Sequence, residues 1–251
     1  MPKLIVLGTA FAIASEGQAN THMVMVGDNG AVLIDCSGSP MVRLRQAGVE
    51  PNNLTDLILT HFHPDHVSGV PVLLMDMWLL GRESALKIHG LDYTIDRVET
   101  VMDAYNWKRW PDFYPVTFNR LPEAGLAPVL ETEEWRVSAS PVHHMIPTIG
   151  LRVEFPASQK VLAYSCDTDP CGEVVKLAQG ADILLHESTG DYPGHTSAAQ
   201  AGEIAQQAEA KSLYLIHYAT DPVQHEGLVS AARQNFSGPV TLARDLMELE
   251  F

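Results

Sequence analysis

The chain is short of cysteine, of aromatic side chains and of positive charge. It has three cysteines, Cys36, Cys166 and Cys171, in 251 residues. So low and odd a number excludes a disulfide framework and suits a reducing compartment. Lys and Arg number 16 against 31 Asp and Glu, a formal net charge of −15. Nucleic-acid binders usually present a basic face, because neutralising phosphates and releasing counterions drives their affinity. An acidic chain therefore starts at a disadvantage with a large polyanion. No apolar run is long enough to span a bilayer. The opening "MPKLIVLGTAFAIASEGQ" has a lysine and an apolar stretch, as a signal peptide does. "GT" breaks that stretch, however, and "KLIVLG" reads better as a buried first strand. The expected location is the cytoplasm. Linkers, low-complexity tracts and internal repeats are also missing.

What is present is ordinary for a globular protein, 46% hydrophobic and 19% charged, and excludes disorder. The length suits one α/β domain over residues 1–251. Short runs rich in Val, Ile and Leu, bounded by Gly, Asp, Asn or Pro, predict strands. They fall at 3–8, 22–27, 31–35, 54–60, 86–89, 135–140, 150–155, 160–165, 182–186, 213–217 and 239–243. Amphipathic stretches predict helices at 40–47, 68–80, 94–105, 172–179, 197–210 and 222–235. The clearest is "TSAAQAGEIAQQAEA", which Thr196 or Ser197 can cap. Strands dominate early and alternate with helices later. That order suits two packed sheets with helices outside better than one doubly wound sheet.

The chemistry is concentrated in "LILTHFHPDHVSG". His61 and His63, two apart in an extended segment, point to the same side. Pro64 turns the chain, and Asp65 and His66 follow in a tight loop. Pro71 is tolerated only in a first helical turn, so the next helix starts near Val67–Val70. Imidazole and carboxylate are ligands for Zn²⁺ and similar ions. Four of them on one loop are too many for one metal that keeps an open position, and they suggest two. Further ligands are available where apolar strand patterns end: His143 or His144, Asp167 and His217.

This set resembles the metallo-β-lactamase fold superfamily, and specifically its ribonuclease Z-like branch. The likeness is carried by "LGT" (Leu7–Thr9), "LIDC" (Leu33–Cys36), "THFHPDHVSG", "HMIPTIG", "YSCDT", "LLHES", "GHTSA" and "LIHYA", most of the chain. It implies an αββα sandwich of two mixed β-sheets flanked by helices. It also implies that His61, His63 and His144 hold one metal and Asp65, His66 and His217 the other, with Asp167 bridging. His144 is preferred to His143 because the branch's "HxxPxxG" frame starts there. Zinc is the default, with manganese or iron also suited. By the same likeness Asp35 orients a ligand histidine, His186 lies near the metals, and Glu187 pairs with His195, which protonates the leaving oxygen. The nucleophile would be a water shared by the two ions, with Asp65 helping to orient it.

One departure bears on the substrate. Ribonuclease Z proper usually carries a tRNA-clamping arm between the third histidine and the bridging aspartate. Here that interval, His144 to Asp167, is 23 residues (167 − 144), enough for two strands and a turn. The longer interval before His143 contains "NWKRWPDFYP". Its Trp107, Lys108, Arg109 and Trp110 would suit stacking a base and meeting a phosphate. Equally, these aromatics would pack the segment onto the body or a second subunit, and that reading is preferred.

The expectation is a dinuclear hydrolase of small phosphodiesters. The alternatives are a tRNA 3′-processing endoribonuclease and a hydrolase of aryl sulfates, lactones or other esters; the likeness also makes a homodimer plausible. A metal sensor with a vestigial site is disfavoured, because all seven ligand types are intact.

Overall fold

The computed structural model describes residues 1–251. Fourteen strands form two sheets of seven. The first sheet contains β1 (Lys3–Gly8), β2 (His22–Gly27), β3 (Gly30–Ile34), β4 (Leu54–Ile58), β5 (Leu86–Leu91), β6 (Val116–Leu121) and β14 (Met247–Glu250). The second contains β7 (Ala127–Glu131), β8 (Arg136–Val142), β9 (Thr148–Phe155), β10 (Lys160–Tyr164), β11 (Ile183–Glu187), β12 (Leu213–Ile216) and β13 (Val240–Leu242). Both sheets are mixed. β3 to β6 run parallel to one another, as do β10 to β13, while the remaining neighbours are antiparallel.

Alternation along each strand sorts the side chains between layers. In β1, Leu4 and Val6 enter a core between the sheets, whereas Ile5 and Leu7 enter a core under helices. Helices α1 (Pro40–Gln46), α2 (Pro64–Val67), α3 (Val70–Leu79) and α4 (Asp92–Ala104) follow strands of the first sheet, and they share its outer core. Helices α5 (Gly172–Leu177), α6 (Ala198–Gln207) and α7 (Pro222–Arg233) cover the second. The layers are thus helix, sheet, sheet, helix, as the sequence suggested.

Three strands escaped the sequence pattern: β6, β7 and β14. β6 ("VTFNRL") and β14 ("MELE") lie on the outer edges of the first sheet, half-buried and polar, and β7 carries Pro128 on the outer edge of the second. Edge strands lack the apolar run that marks a central strand. The predicted helix at 68–80 is α3, with Pro71 in its first turn, and the tight loop expected at Asp65 and His66 is the short helix α2.

Where β3, β10 and β12 stop, the chain turns sharply. Asp35, Cys166 and His217 have φ of 58°, 55° and 52°, a left-handed backbone that costs a non-glycine residue about 1–2 kcal/mol. All three are buried, so packing holds them there. The turns gather one rim of both sheets into a common cleft.

Candidate metal centre

On that rim β4 runs out into Thr60, His61 and His63, and α2 brings Asp65 and His66 round behind them. From the second sheet come His144 after β8, Asp167 after β10 and His217 after β12. The seven side chains make two clusters.

In the first cluster His63 Nδ1 lies 3.1 Å from both His61 Nε2 and His144 Nε2. Nitrogens bound at 2.0–2.1 Å to a tetrahedral ion sit about 3.3 Å apart. Burial, with the charge of His66 behind it, holds the His61 pKa well below the ordinary imidazole value. Burial also lowers those of His63 and His144. The far nitrogens of His61 and His144 are occupied. The Thr60 hydroxyl donates to Asp35 (2.8 Å to Oδ2) and so accepts from His61 Nδ1 at 3.1 Å. His144 Nδ1 donates to the Gly194 carbonyl at 2.7 Å. Neutral rings anchored this way turn lone pairs toward one point, an arrangement that a cation satisfies.

In the second cluster His217 Nε2 is 3.4 Å from both Asp65 Oδ2 and Asp167 Oδ2. His66 Nε2 is 3.5 Å and 3.6 Å from the same two oxygens. His66 Nδ1 donates to Asp35 Oδ2 at 2.8 Å. His217 Nδ1 donates to Thr189 Oγ1 at 2.8 Å, whose own proton goes to the His217 carbonyl. Asp167 Oδ2 also lies 3.9 Å from His61 Nε2, so this carboxylate faces both clusters. Burial opposes charge at Asp167, but His217 and His66 outweigh it and hold its pKa well below the usual carboxylate range. Burial likewise opposes charge at His66, and Asp167 with Asp35 overcomes it, raising that pKa well above ordinary. His66 Nε2 and Asp167 Oδ1 are buried without any hydrogen-bond partner. Orphaned polar atoms of this kind call for a missing ion, and the N/O donor set suits zinc or its neighbours. The residues fit a two-metal centre.

Above the clusters stands His195. Its Nδ1 donates to Glu187 Oε1 at 3.0 Å, and its ring lies 5.0 Å from that of His144. Burial disfavours the charged ring, but the Glu187 carboxylate prevails and raises the His195 pKa. Glu187 is fully buried and held by the backbone N–H groups of Thr168, Thr189 and Thr196.

Two further expectations concern residues outside the clusters. His186, expected near the metals, is a member of neither cluster. Leu185 faces the core between the sheets and Leu184 the helical side, so alternation sends His186 toward the helices, where its Nδ1 bonds the Glu187 carbonyl. Trp107, Lys108, Arg109 and Trp110 do not line the cleft. Trp110 stacks on Trp78, Trp107 is buried, and both Trp107 Nε1 and Lys108 bond Asp103. The segment packs onto the body, where Trp107, Trp110 and Phe113 join the apolar core under the helices.

The cleft itself has a volume of about 500 Å³. Beyond the clustered residues and His195, its walls include Phe11, Met145, Tyr192 and Pro193, and they include no Lys or Arg. Sequence reasoning missed Thr60, Thr189 and these walls. Only the position of Thr60, immediately before the first histidine, was a usable signal.

Comparison with known proteins gives a consistent answer. The beta-lactamase superfamily domain family matches residues 31–218. The ribonuclease Z of Methanothermobacter thermautotrophicus is 29% identical, with 100% of this chain and 97% of that protein aligned. The alignment runs over 308 positions, so at least 57 (308 − 251) face no residue here. Among solved structures, the metallo-beta-lactamase fold protein YhfI from Bacillus subtilis superposes with a TM-score of 0.85 at 21% identity, covering 100% of this chain and 99% of that one. The short form of human tRNase Z superposes at 0.78 with 23% identity, covering 99% and 98%.

Proposed function

The chain belongs to the beta-lactamase superfamily, and from that premise we propose that it is a two-metal phosphodiesterase of the ribonuclease Z type, an endoribonuclease acting at RNA 3′ ends. That it is a metal-dependent hydrolase follows from the family and the relatives. The relatives named ribonuclease Z, aligned along their whole length, favour the RNA substrate over the small diester expected from the sequence. The observation that carries the reading is the Asp167 carboxylate facing two ligand clusters beneath the Glu187–His195 pair.

His61, His63 and His144 would hold one ion, and Asp65, His66 and His217 the other, with Asp167 between them. When bound, such ions polarise the phosphoryl group and make a bound water more acidic. Asp65, on the cleft wall, accepts a hydrogen bond from the attacking water and orients it. His195 presents Nε2 to the cleft and donates its proton to the departing oxygen as the P–O bond breaks. Glu187 holds that ring charged and correctly turned. Asp35 orients His66 directly and His61 through Thr60, so one buried carboxylate aligns a ligand in each cluster.

A second reading, a hydrolase of small phosphodiesters, is favoured by the cation-free cleft. An RNA backbone is normally met by Lys and Arg. The span from His144 to Asp167 points the same way, since β9, β10 and short connections fill it. Metal-loaded protein is to be given a precursor tRNA with a 3′ trailer and, separately, bis-p-nitrophenyl phosphate. Site-specific removal of the trailer is expected. Turnover of the small diester alone would reject the ribonuclease reading in favour of the second.

A further inference from the structure

Beside the two clusters stands a third group of metal-binding side chains that the reaction does not use. His143, Cys171 and Glu173 bring one ligand atom each within 4.8 Å of one another, with His143 Nε2 3.5 Å from Glu173 Oε2. His143 comes from the loop between β8 and β9, Cys171 ends the loop between β10 and α5, and Glu173 lies in the first turn of α5. The backbone fixes these loops against each other. His143 N–H donates to Thr168 Oγ1 at 3.2 Å, and its carbonyl accepts from Asp169 N–H at 2.6 Å. The same threonine hydroxyl lies 3.6 Å from Cys171 Sγ. The three donors therefore start from positions set by the main chain, which lowers the entropy cost of bringing them together.

Simpler roles fit poorly. At 3.5 Å the His143–Glu173 pair is too long for a good hydrogen bond. Cys171 is a free, half-buried thiol that packs at the edge of the second sheet's outer core beside Thr168, so it is not bridged and not sealed from solvent. Thiolate, imidazole and carboxylate form a zinc-type donor set, softer than the nitrogen and oxygen donors of the two main clusters. We propose that His143, Cys171 and Glu173 bind a third ion, zinc, with the fourth position left to water on the open side where His143 is exposed. Binding releases the Cys171 thiol proton to solvent, with no change of oxidation state. The ion acts as a brace. It ties the loop that carries His144 to the loop that carries Asp167, and so fixes a donor from the first cluster against the carboxylate that both clusters share.

Cobalt(II) loading of the full chain tests this. A cobalt–thiolate bond gives an intense near-ultraviolet charge-transfer band that nitrogen and oxygen donors do not. The wild-type protein is expected to show the band and to bind one more equivalent per chain than Cys171→Ser or His143→Asn. Both variants should lose the band while keeping the remaining ions, with circular dichroism checking that they fold. His63→Ala should lose metal from the main centre and keep the band. Equal stoichiometry in wild type and Cys171→Ser overturns the proposal. So does a band that survives Cys171→Ser, which would assign the sulfur ligand to Cys166, or a band that vanishes with His63→Ala. None of these outcomes depends on which phosphodiester is cleaved.

Discussion

His195 is a weak acid made stronger in supply by its partner. Because Glu187 raises its pKa, the ring stays protonated to higher pH than a free imidazole, and the rate on an unactivated ester should fall only as pH rises through that raised value. Glu187→Gln should move the fall to lower pH. His195→Ala should retain metal and lose about 10²–10⁴ in kcat, with a smaller loss for a good leaving group such as p-nitrophenolate; full turnover on a poor leaving group would remove the acid role. Thr60→Val breaks the link from Asp35 to His61 without adding volume. A loss of about 10- to 100-fold in metal affinity is expected by competition with a chelator, and unchanged affinity would dismiss the relay. His22 offers a separate measure of stability. Burial pushes its pKa down to about 4, so the unfolded chain binds the proton first. The folded state should lose up to about 3 kcal/mol as pH falls from 6.5 toward 4, and nothing above 6.5. Comparing His22→Gln with wild type by urea unfolding at pH 7 and pH 5 checks this, since the variant lacks that contribution to the slope.

At the scale of elements, the joint between α6 and α7 depends on a missing side chain. A Cβ on Gly202 would meet the Ala232 carbonyl at 2.3 Å. Gly202→Ala gains about 1 kcal/mol of helix propensity but forces the helices apart, at about 1–3 kcal/mol. Net destabilisation is expected in chemical denaturation; a more stable variant would mean that α7 shifts freely. Elements with strong local signals were legible from the sequence. α6 is one, with a capping box between Ser197 and Gln200, and so is the dense run His61–His66. Where meaning depends on a distant neighbour, the sequence is silent. Thr189 is one polar residue among many until His217 arrives beside it, and β14 is a short charged run until it pairs with β1. Trp107 and Trp110 left two readings open, because an aromatic beside a base looks the same whether it binds a ligand or packs a helix, and the packing reading is the one the fold adopts.

Over the whole molecule, the ligand clusters join the two sheets. Residues 61–66 extend from the first, and His144, Asp167 and His217 from the second. Bound ions therefore act on the folded state as a whole. At 100 times Kd a site adds about 2.7 kcal/mol, or several degrees in Tm for a chain of this size. Stripping with a chelator should lower Tm accordingly, and restored metal should recover it. A Tm indifferent to metal would place the donors in a frame that needs no ion.

β1 finds its outer partner late. Lys3 pairs with Glu250, 247 residues on (250 − 3), while its other edge pairs with β2, the next strand in the chain. During synthesis β1 is thus made long before β14 and stays open along one edge until β14 follows. A nascent or truncated chain without β14 offers that edge to any extended neighbour. Translation arrest before β14 should then leave a product that aggregates through its first strand.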